Sequence, residues 1–334
     1  MPRVSVLLPA RNAEATLRPA VRSILRQTYR DLELVAVDDG STDGTAAILA
    51  EAAASDPRVR VVRGPGSGIV AALEAGRARC SGELVARMDA DDVAHPARLA
   101  EQIAALDADP ALDGLGCNVA MFPRRGVAEG MRLYVGWLNS LRSADDVARE
   151  RFVESPLVHP SVLLRARTLD DAGGYVERGW PEDYDLWLTL LGRGARLANL
   201  PSVRLFWREH GKRLTRTDPR YGKAQHLALK ARHLAQGPLA VRKSCAIWGA
   251  GKTGKALARA LAAEGVAVEW WVEVDRAKIG RTVRDAPVLA VDALPPPGGP
   301  LLLVAVAARG ARAEIRGDLH ARGWVEGRDY LVCW

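Results

Sequence analysis

Apolar and polar positions in the first third of the chain follow two alternating periods. Val4 to Leu8 reads as an apolar strand, and Leu32 to Val37, Val59 to Val62 and Leu84 to Met88 read as further strands. Helical spacing fills the intervals: Ala13 to Gln27, Thr42 to Ala54, a segment ending at Arg79, and Pro96 to Leu106. A glycine loop, Gly64-Pro-Gly-Ser-Gly68, precedes the third of these helices. Such strand–helix alternation predicts a parallel sheet covered on both faces. In open sheets of this kind, ligands sit beyond the carboxyl ends of the strands. The polar segments Pro9 to Asn12, Asp38 to Gly40 and Asp89 to Asp92 all follow strand ends, so they are expected to converge on one crevice.

Beyond residue 110 the pattern is less regular. It predicts a strand at Leu157 to Leu164, a helix at Glu182 to Leu191, a strand near Val203 to Trp207 and a basic helical stretch from Pro219 to Ala235. Gln236-Gly237-Pro238 marks a linker, placing one domain at 1–236, the linker at 237–243 and a second α/β domain at 244–334. That second domain restarts with a strand, Gly249-Ala-Gly-Lys-Thr-Gly254, a helix and a strand at Val266 to Val274. A proline-rich loop at Pro295 to Pro300, another strand, a helix and a terminal strand complete it. The two domains differ in length and motif, so they are not repeats.

Composition narrows the class. With 334 residues, 48% hydrophobic and 26% charged, the chain is that of a cored globular protein of two ordinary domains. The net charge of +7 is spread along the chain without a block of like charges. It suits anionic partners such as nucleotide diphosphates or acidic lipid headgroups, and a nucleic-acid partner is not expected. Cys80, Cys117, Cys245 and Cys333 show no metal-type spacing, so reduced thiols and a cytoplasmic setting are expected. Proline breaks the N-terminus before a signal-peptide core, and no apolar run approaches the ~20 residues that span a bilayer. Contact with a membrane surface through Arg-rich segments stays open.

The densest chemistry lies in Met88-Asp-Ala-Asp-Asp92, directly behind a hydrophobic strand. Residues i and i+2 of an extended segment share a side, so Asp89 and Asp91 can aim oxygens at one point. A hard divalent cation is the natural occupant. The alternative is a solvated acidic turn capping the helix that begins near His95-Pro96. Asp183 opens the expected helix at Glu182 to Leu191, with Trp187 one turn away and Leu186, Leu190 and Leu191 forming an apolar stripe. The helix dipole there favours an ionised carboxylate, the form a general base requires. Glu182, Asp183 and Asp185 could equally be ordinary first-turn acids.

Read together, Val4-Ser-Val-Leu-Leu-Pro-Ala-Arg-Asn-Ala-Glu14, Val37-Asp-Asp-Gly-Ser-Thr-Asp-Gly44, Met88 to Asp92, Val158-His-Pro-Ser161, Gly173-Gly-Tyr175 and Pro181-Glu-Asp-Tyr-Asp-Leu-Trp187 resemble family 2 glycosyltransferases of the GT-A fold. The resemblance covers roughly residues 1 to 235. It implies an α/β fold with a mostly parallel sheet flanked by helices, and transfer of a sugar from a nucleotide-diphosphate donor, UDP-sugars favoured, to an acceptor hydroxyl with inversion. By resemblance, Asp91 is the direct metal ligand, Asp89 a metal or ribose contact, and Asp183 the base. Pro9, Ala10, Arg11, Asn12 and Glu14 line the nucleoside, Asp39 accepts a hydrogen bond from the base, and Gly68 lets backbone approach the nucleotide. Ala90 belongs to the same donor segment. Gly66-Ser67-Gly68 departs from the commoner asparagine-and-glycine pattern of relatives.

Other residues carry two readings each. His210 stands where many relatives place a histidine near metal and diphosphate, and an imidazole among oxygen ligands favours Mn2+ over Mg2+; it could also be an ordinary exposed histidine. Arg87 could face the diphosphate or pair with a nearby acid. His159 and Trp180 could shape the acceptor side or simply pack. Glycan, lipid-linked and protein acceptors are all compatible.

In the C-terminal domain, Gly249, Gly251 and Gly254 follow a strand and open a helix, the context in which such glycines cradle a nucleotide's phosphates. Glu273 and Asp275 end the next strand, near where a ribose-binding acid lies in dinucleotide folds. This domain resembles small Rossmann-like modules appended to some sugar-modifying enzymes. Its glycines could hold a nucleotide or NAD, or serve close helix–strand packing. Two further functions therefore stand beside glycosyl transfer: an NAD-dependent sugar oxidoreductase, and a non-catalytic nucleotide-sugar-binding protein.

Overall fold

The computed structural model describes residues 1–334, which divide into two compact units. The first comprises Met1–Ala148, Pro156–Arg178 and Glu182–Thr217, and the second comprises Arg149–Ser155, Gly179–Pro181 and Asp218–Trp334. The division thus falls at Thr217, upstream of the Gly237-Pro238 linker, and the helix before that linker groups with the C-terminal unit.

In the first unit the strands are β1 (Val4–Ala10), β2 (Leu32–Asp38), β3 (Val59–Arg63), β4 (Leu84–Arg87), β5 (Val93–Ala94), β6 (Gly114–Phe122), β7 (Leu163–Arg165) and β8 (Leu197–Arg208). The helices are α1 (Glu14–Leu25), α2 (Thr45–Ser55), α3 (Ile69–Arg77), α4 (Arg98–Ala108), α5 (Glu129–Leu138), α6 (Ala144–Glu150, whose last two residues group with the second unit), α7 (Ala166–Asp171), α8 (Glu182–Gly192) and α9 (Leu214–Thr217). They build one eight-stranded sheet in the order β3-β2-β1-β4-β7-β6-β8-β5. β1 to β4 run parallel, β7 runs against both β4 and β6, and β8 runs parallel to β6.

Side-chain alternation along β1 sorts the core into two layers. Val4, Val6 and Leu8 pack with Leu17, Ala20 and Ile24 of α1 and Leu99 and Ile103 of α4. Leu7, on the other face, packs with Val70 and Leu73 of α3 and Leu186, Trp187 and Leu190 of α8. Because both faces are covered, every residue of β1 is buried. Gly76 lets α3 close onto the sheet, since a Cβ there would lie 2.3 Å from Leu7 Cδ1.

The early expectations describe this unit well up to α4. Later, the run expected as a strand at 157–164 is a 3-10 turn at His159–Ser161 followed by a three-residue strand, because Pro160 and the Val158 carbonyl close a tight turn. β6, absent from the sequence reading, is a nine-residue strand inside the sheet. β8 begins six residues before the expected strand. Its partner register jumps from Cys117↔Leu200 to Asn118↔Val203, so Pro201 and Ser202 bulge out of the ladder, where proline is tolerated.

In the second unit, α10 (Lys223–Gln236) precedes a six-stranded sheet. Its strands are β9 (Ser244–Trp248), β10 (Ala267–Glu273), β11 (Thr282–Val283), β12 (Ala286–Ala290), β13 (Leu301–Val304) and β14 (Tyr330–Val332), with α11 (Lys252–Ala263) and α12 (Ala311–Ala321). The order is β11-β12-β10-β9-β13-β14, and only the β11–β12 pair is antiparallel. No helix is long and apolar enough to cross a membrane.

Candidate active site

The carboxyl ends of β1, β2 and β4 bring the three predicted polar segments to one edge of the sheet. The first two are stitched together. Asn12, in a left-handed conformation at φ 50°, accepts from Thr42 N at 2.8 Å through Oδ1 and donates its own N–H to Ser41 Oγ at 3.0 Å. Glu14 accepts from Gly44 N at 3.0 Å, while its N–H donates to Asp43 at 3.1 Å. The side chains of Asn12 and Glu14 therefore tie the loops after β1 and β2 to one another. Pro9 and Ala10 are buried strand residues in register with Val37 and Asp38.

Asp39 is buried and organises the glycine loop. Its two carboxylate oxygens accept from Gly66 N at 2.7 Å and Gly68 N at 2.9 Å. Exposed Arg11 adds a 3.8 Å ion pair to Asp39. Gly66 and Gly68 have φ of +75° and +103°, a region that glycine enters without a steric cost. A Cβ at Gly64 would sit 2.8 Å from Asp39 Oδ1, so this loop is closed around the acid.

The acidic turn after β4 holds Asp89, Asp91 and Asp92 with one oxygen from each within 4.8 Å of the others. Asp89 and Asp91 are half-buried and Asp92 is buried. Burial, then the charge of Asp89, pushes the Asp91 carboxyl above its usual range. Burial with both neighbouring aspartates pushes Asp92 well above it. Acids held this close call for positive charge or hydrogen-bonding partners. Arg87, only 5% exposed, pairs with Asp89. His210 Nε2 lies 2.8 Å from Asp91 Oδ2. Asp92 Oδ1 accepts the Arg208 backbone N–H at 2.7 Å, fastening the turn to the end of β8. Asp92 is thus a buried anchor, and Asp89 and Asp91 are the partly exposed members of the cluster. Arg87 Nε is buried without a hydrogen-bond partner.

Asp183 lies in the first turn of α8, where its Oδ1 accepts the Tyr184 N–H at 2.8 Å. Burial pushes its carboxyl up to about 6, against the opposing pull of that N–H and of the Arg87 charge; the charge of Asp89 pushes the same way as burial. A carboxyl in that range accepts a proton far better than an ordinary aspartate while remaining mostly ionised at neutral pH. Asp185, by contrast, is buried in an ion pair with Arg178. His159 is buried between Tyr175 and Trp187: its Nε2 meets Tyr175 Oη at 2.9 Å and its ring stands edge-on to Trp187 at 5.8 Å. Burial and the Arg87 charge hold its pKa well below 6.5, so it is a neutral packing group. Trp180 belongs to the second unit.

Sequence reasoning did not single out Arg98 and Gln102, which are fully buried on α4 beside the β4 turn. The signal was present: an arginine and a glutamine four residues apart at core positions of an otherwise apolar helix face.

In the second unit the three glycines differ. A Cβ at Gly254 would lie 1.9 Å from the Gly249 carbonyl oxygen, and one at Gly249 2.9 Å from the Ala305 carbonyl, so both serve close packing. Gly251 has nothing within 4 Å of that position. Glu273 accepts from Ala250 N and Lys278 Nζ, each at 3.1 Å, holding the glycine loop to the end of β10.

Residues 5–166 match the family model described as glycosyl transferase family 2. The putative glycosyltransferase EpsE of Bacillus subtilis is 33% identical over 204 residues, covering 60% of this chain and 70% of that protein. The chain therefore belongs to glycosyl transferase family 2 and is an enzyme that transfers sugars. Among solved structures, S. aureus TarS 1-349 in complex with UDP-GlcNAc superposes with a TM-score of 0.57 at 20% identity, covering 78% of this chain and 71% of that one. The mannosyltransferase PcManGT of Pyrobaculum calidifontis, in complex with GDP-Man and Mn2+, gives 0.50 at 24% identity, covering 79% and 69%. Both show a shared GT-A-like fold.

Proposed function

We propose that the chain is a metal-dependent, inverting glycosyltransferase that moves a sugar from a nucleotide-diphosphate donor, UDP-sugars favoured, to an acceptor hydroxyl. The observation that carries this reading is the presence at one edge of the sheet of a three-carboxylate cluster and a carboxyl tuned to about 6 at Asp183.

The cluster fits a hard divalent cation. Asp89 and Asp91 offer half-buried carboxylate oxygens, and His210 already touches Asp91. An imidazole beside carboxylates suits Mn2+ better than Mg2+, and the fold neighbour PcManGT binds GDP-Man with Mn2+. A bound cation would neutralise charge on the departing diphosphate. Asp183 removes the proton from the acceptor hydroxyl as that oxygen attacks the anomeric carbon from the face opposite the leaving nucleotide, which inverts the centre. Arg87 and Arg11 supply positive charge on the donor side, the Asn12 and Glu14 turn forms the nucleoside wall, and Asp39 with Gly68 is the contact to the base. The UDP-GlcNAc bound by TarS supports a uridine donor.

The Gly249 to Gly254 loop remains a candidate nucleotide or NAD site in a Rossmann-like second domain, with Gly251 as its open position. A cytoplasmic enzyme, with or without contact to a membrane surface, fits the absence of a spanning helix and the charge of +7.

A screen of nucleotide sugars by release of nucleoside diphosphate, with manganese and with chelator, tests this reading. Release that depends on metal and is lost in Asp183→Asn is expected. Full turnover in chelator would refute the metal seat, and full turnover in the variant would refute the base.

A further inference from the structure

We infer that Arg98 and Gln102 form a buried positioning clamp that fixes the end of β4 and so sets where Asp89 and Asp91 are presented. This rests on the donor-site reading above. The β4–β7 ladder stops at Ala86↔Leu163, and β6 pairs with β7 only at Gly114 and Leu115. One further bond, from Arg87 N to the Val162 carbonyl at 2.9 Å, closes the β4 side; beyond it the sheet forks, and the acidic turn leaves from the β4 prong.

The two α4 side chains fill the fork. Arg98 Nη2 donates to the Arg87 carbonyl at 2.9 Å and the Val162 carbonyl at 3.3 Å, and Nη1 lies 3.7 Å from Met88 Sδ. Its Nε donates to Gln102 Oε1 at 3.1 Å. Gln102 Nε2 then donates to the Leu115 carbonyl at 2.7 Å and the Ser161 carbonyl at 2.8 Å. Four backbone carbonyls from three chain segments are held by one side-chain pair, and the first of them lies two residues before Asp89.

Ordinary stability does not favour this arrangement. Arg98 is 0% exposed, has no hydrogen-bonded carboxylate partner, and sits at the N-terminal end of a helix whose dipole repels a cation. Burying such a charge is costly, and local rules are broken in this way mainly where function requires it. A planar guanidinium can span two carbonyls and a neighbouring amide at fixed angles, which an ammonium cannot.

The test uses the full chain and four proteins: wild type, Arg98→Lys, Gln102→Met, and Ile103→Ala as a neighbouring core lesion that removes apolar volume but no clamp contact. UDP binding with Mn2+ is measured by calorimetry, and backbone amide exchange by mass spectrometry over residues 87 to 92. Arg98→Lys is expected to weaken UDP–Mn2+ binding at least tenfold and to speed exchange in 87–92 at least tenfold. Gln102→Met should shift both by about threefold, and Ile103→Ala should lower the melting temperature while leaving both unchanged.

If Arg98→Lys and Gln102→Met behave like Ile103→Ala, the clamp is a packing feature and the inference is overturned. If wild type binds no UDP, the donor reading falls, and the exchange rates still decide the clamp. Should Arg98→Lys fail to fold, Gln102→Met decides alone.

Discussion

His210 Nε2 lies 2.8 Å from Asp91 Oδ2, joining the residue just past β8 to the acidic turn after β4 across 119 positions of sequence. The two side chains are similarly accessible, at 36% and 28%, so the pair is open to an incoming ligand. Asp91→Asn should reduce turnover at least 100-fold, of the order removed with a charge-stabilising group. His210→Ala should instead raise the Mn2+ concentration for half-maximal rate about tenfold and retain measurable turnover at saturating metal. A manganese titration of initial rates distinguishes them. Equal loss in both variants at saturating metal would contradict a supporting role for His210.

Asp183→Asn is expected to lower turnover about 10³-fold, within the range for loss of a general base. Affinity for nucleoside diphosphate should stay within about threefold of wild type, because the substitution keeps shape and removes only basicity. Steady-state rates and calorimetry on the same preparation check both parts.

The pH dependence follows from the same carboxyl. Burial, the largest influence, holds Asp183 at about 6, and a carboxyl can act as a base only when ionised. Rate in kcat/KM should therefore rise with pH to a plateau, with an acid limb centred near 6 rather than near the ordinary aspartate value of about 4. A profile already flat down to pH 5 would exclude Asp183 as the group that titrates.

Stability carries the opposite sign. The folded pKa is raised above the unfolded one, so between about pH 4 and 6 the folded chain binds more protons. The contribution is present at low pH and is lost as pH rises through the folded value. Asp183→Asn should thus be more stable than wild type at pH 7.5, by about 1 kcal/mol after allowance for solvent screening at a partly exposed site. The difference should shrink toward pH 4. Paired melting curves at the two pH values provide the measurement.

The C-terminal glycines separate packing from binding. Gly254→Ala forces a Cβ to 1.9 Å from the Gly249 carbonyl and should markedly destabilise the second unit. Gly251→Ala meets nothing within 4 Å and should leave its melting temperature unchanged. If the loop takes a nucleotide's phosphates, Gly251→Ala alone should abolish nucleotide or NAD binding in a folded unit. Undiminished binding in that variant would remove the loop from consideration.

The first half of the sheet was legible because parallel strands covered on both faces are largely apolar, as β1, β2 and β4 are, while edge strand β3, Val-Arg-Val-Val-Arg, is mostly exposed and shows itself by its β-branched residues. β6 was hidden by Gly114, Gly116 and Asn118, which look like strand breakers but answer to neighbours. A Cβ at Gly114 would meet Leu164 Cδ2 at 2.3 Å, and Asn118 Nδ2 donates to the bulged Pro201 carbonyl at 2.9 Å. Neither reason is local, so neither can be read from nearby residues. The acidic turn and Asp183 stood out because charge at a strand end or helix start is visible in one dimension. The ties of Asn12 and Glu14 to the following loop depended on which segment β2 would bring alongside. On sequence His159 could shape the acceptor side or pack, and only the fold shows it buried against Tyr175 and Trp187.

The stitched turn of Asn12, Ser41, Thr42, Asp43, Gly44 and Glu14 also has an entropic consequence. Loops that order only on meeting a ligand subtract their lost freedom from its affinity. Here backbone N–H groups and side chains have already exchanged partners across the two loops, so that freedom disappears when the chain folds. A donor landing here as proposed meets a turn ordered in advance, and cutting a stitch from the far loop, as in Ser41→Ala or Asp43→Ala, should weaken binding through disorder without removing a proposed ligand contact.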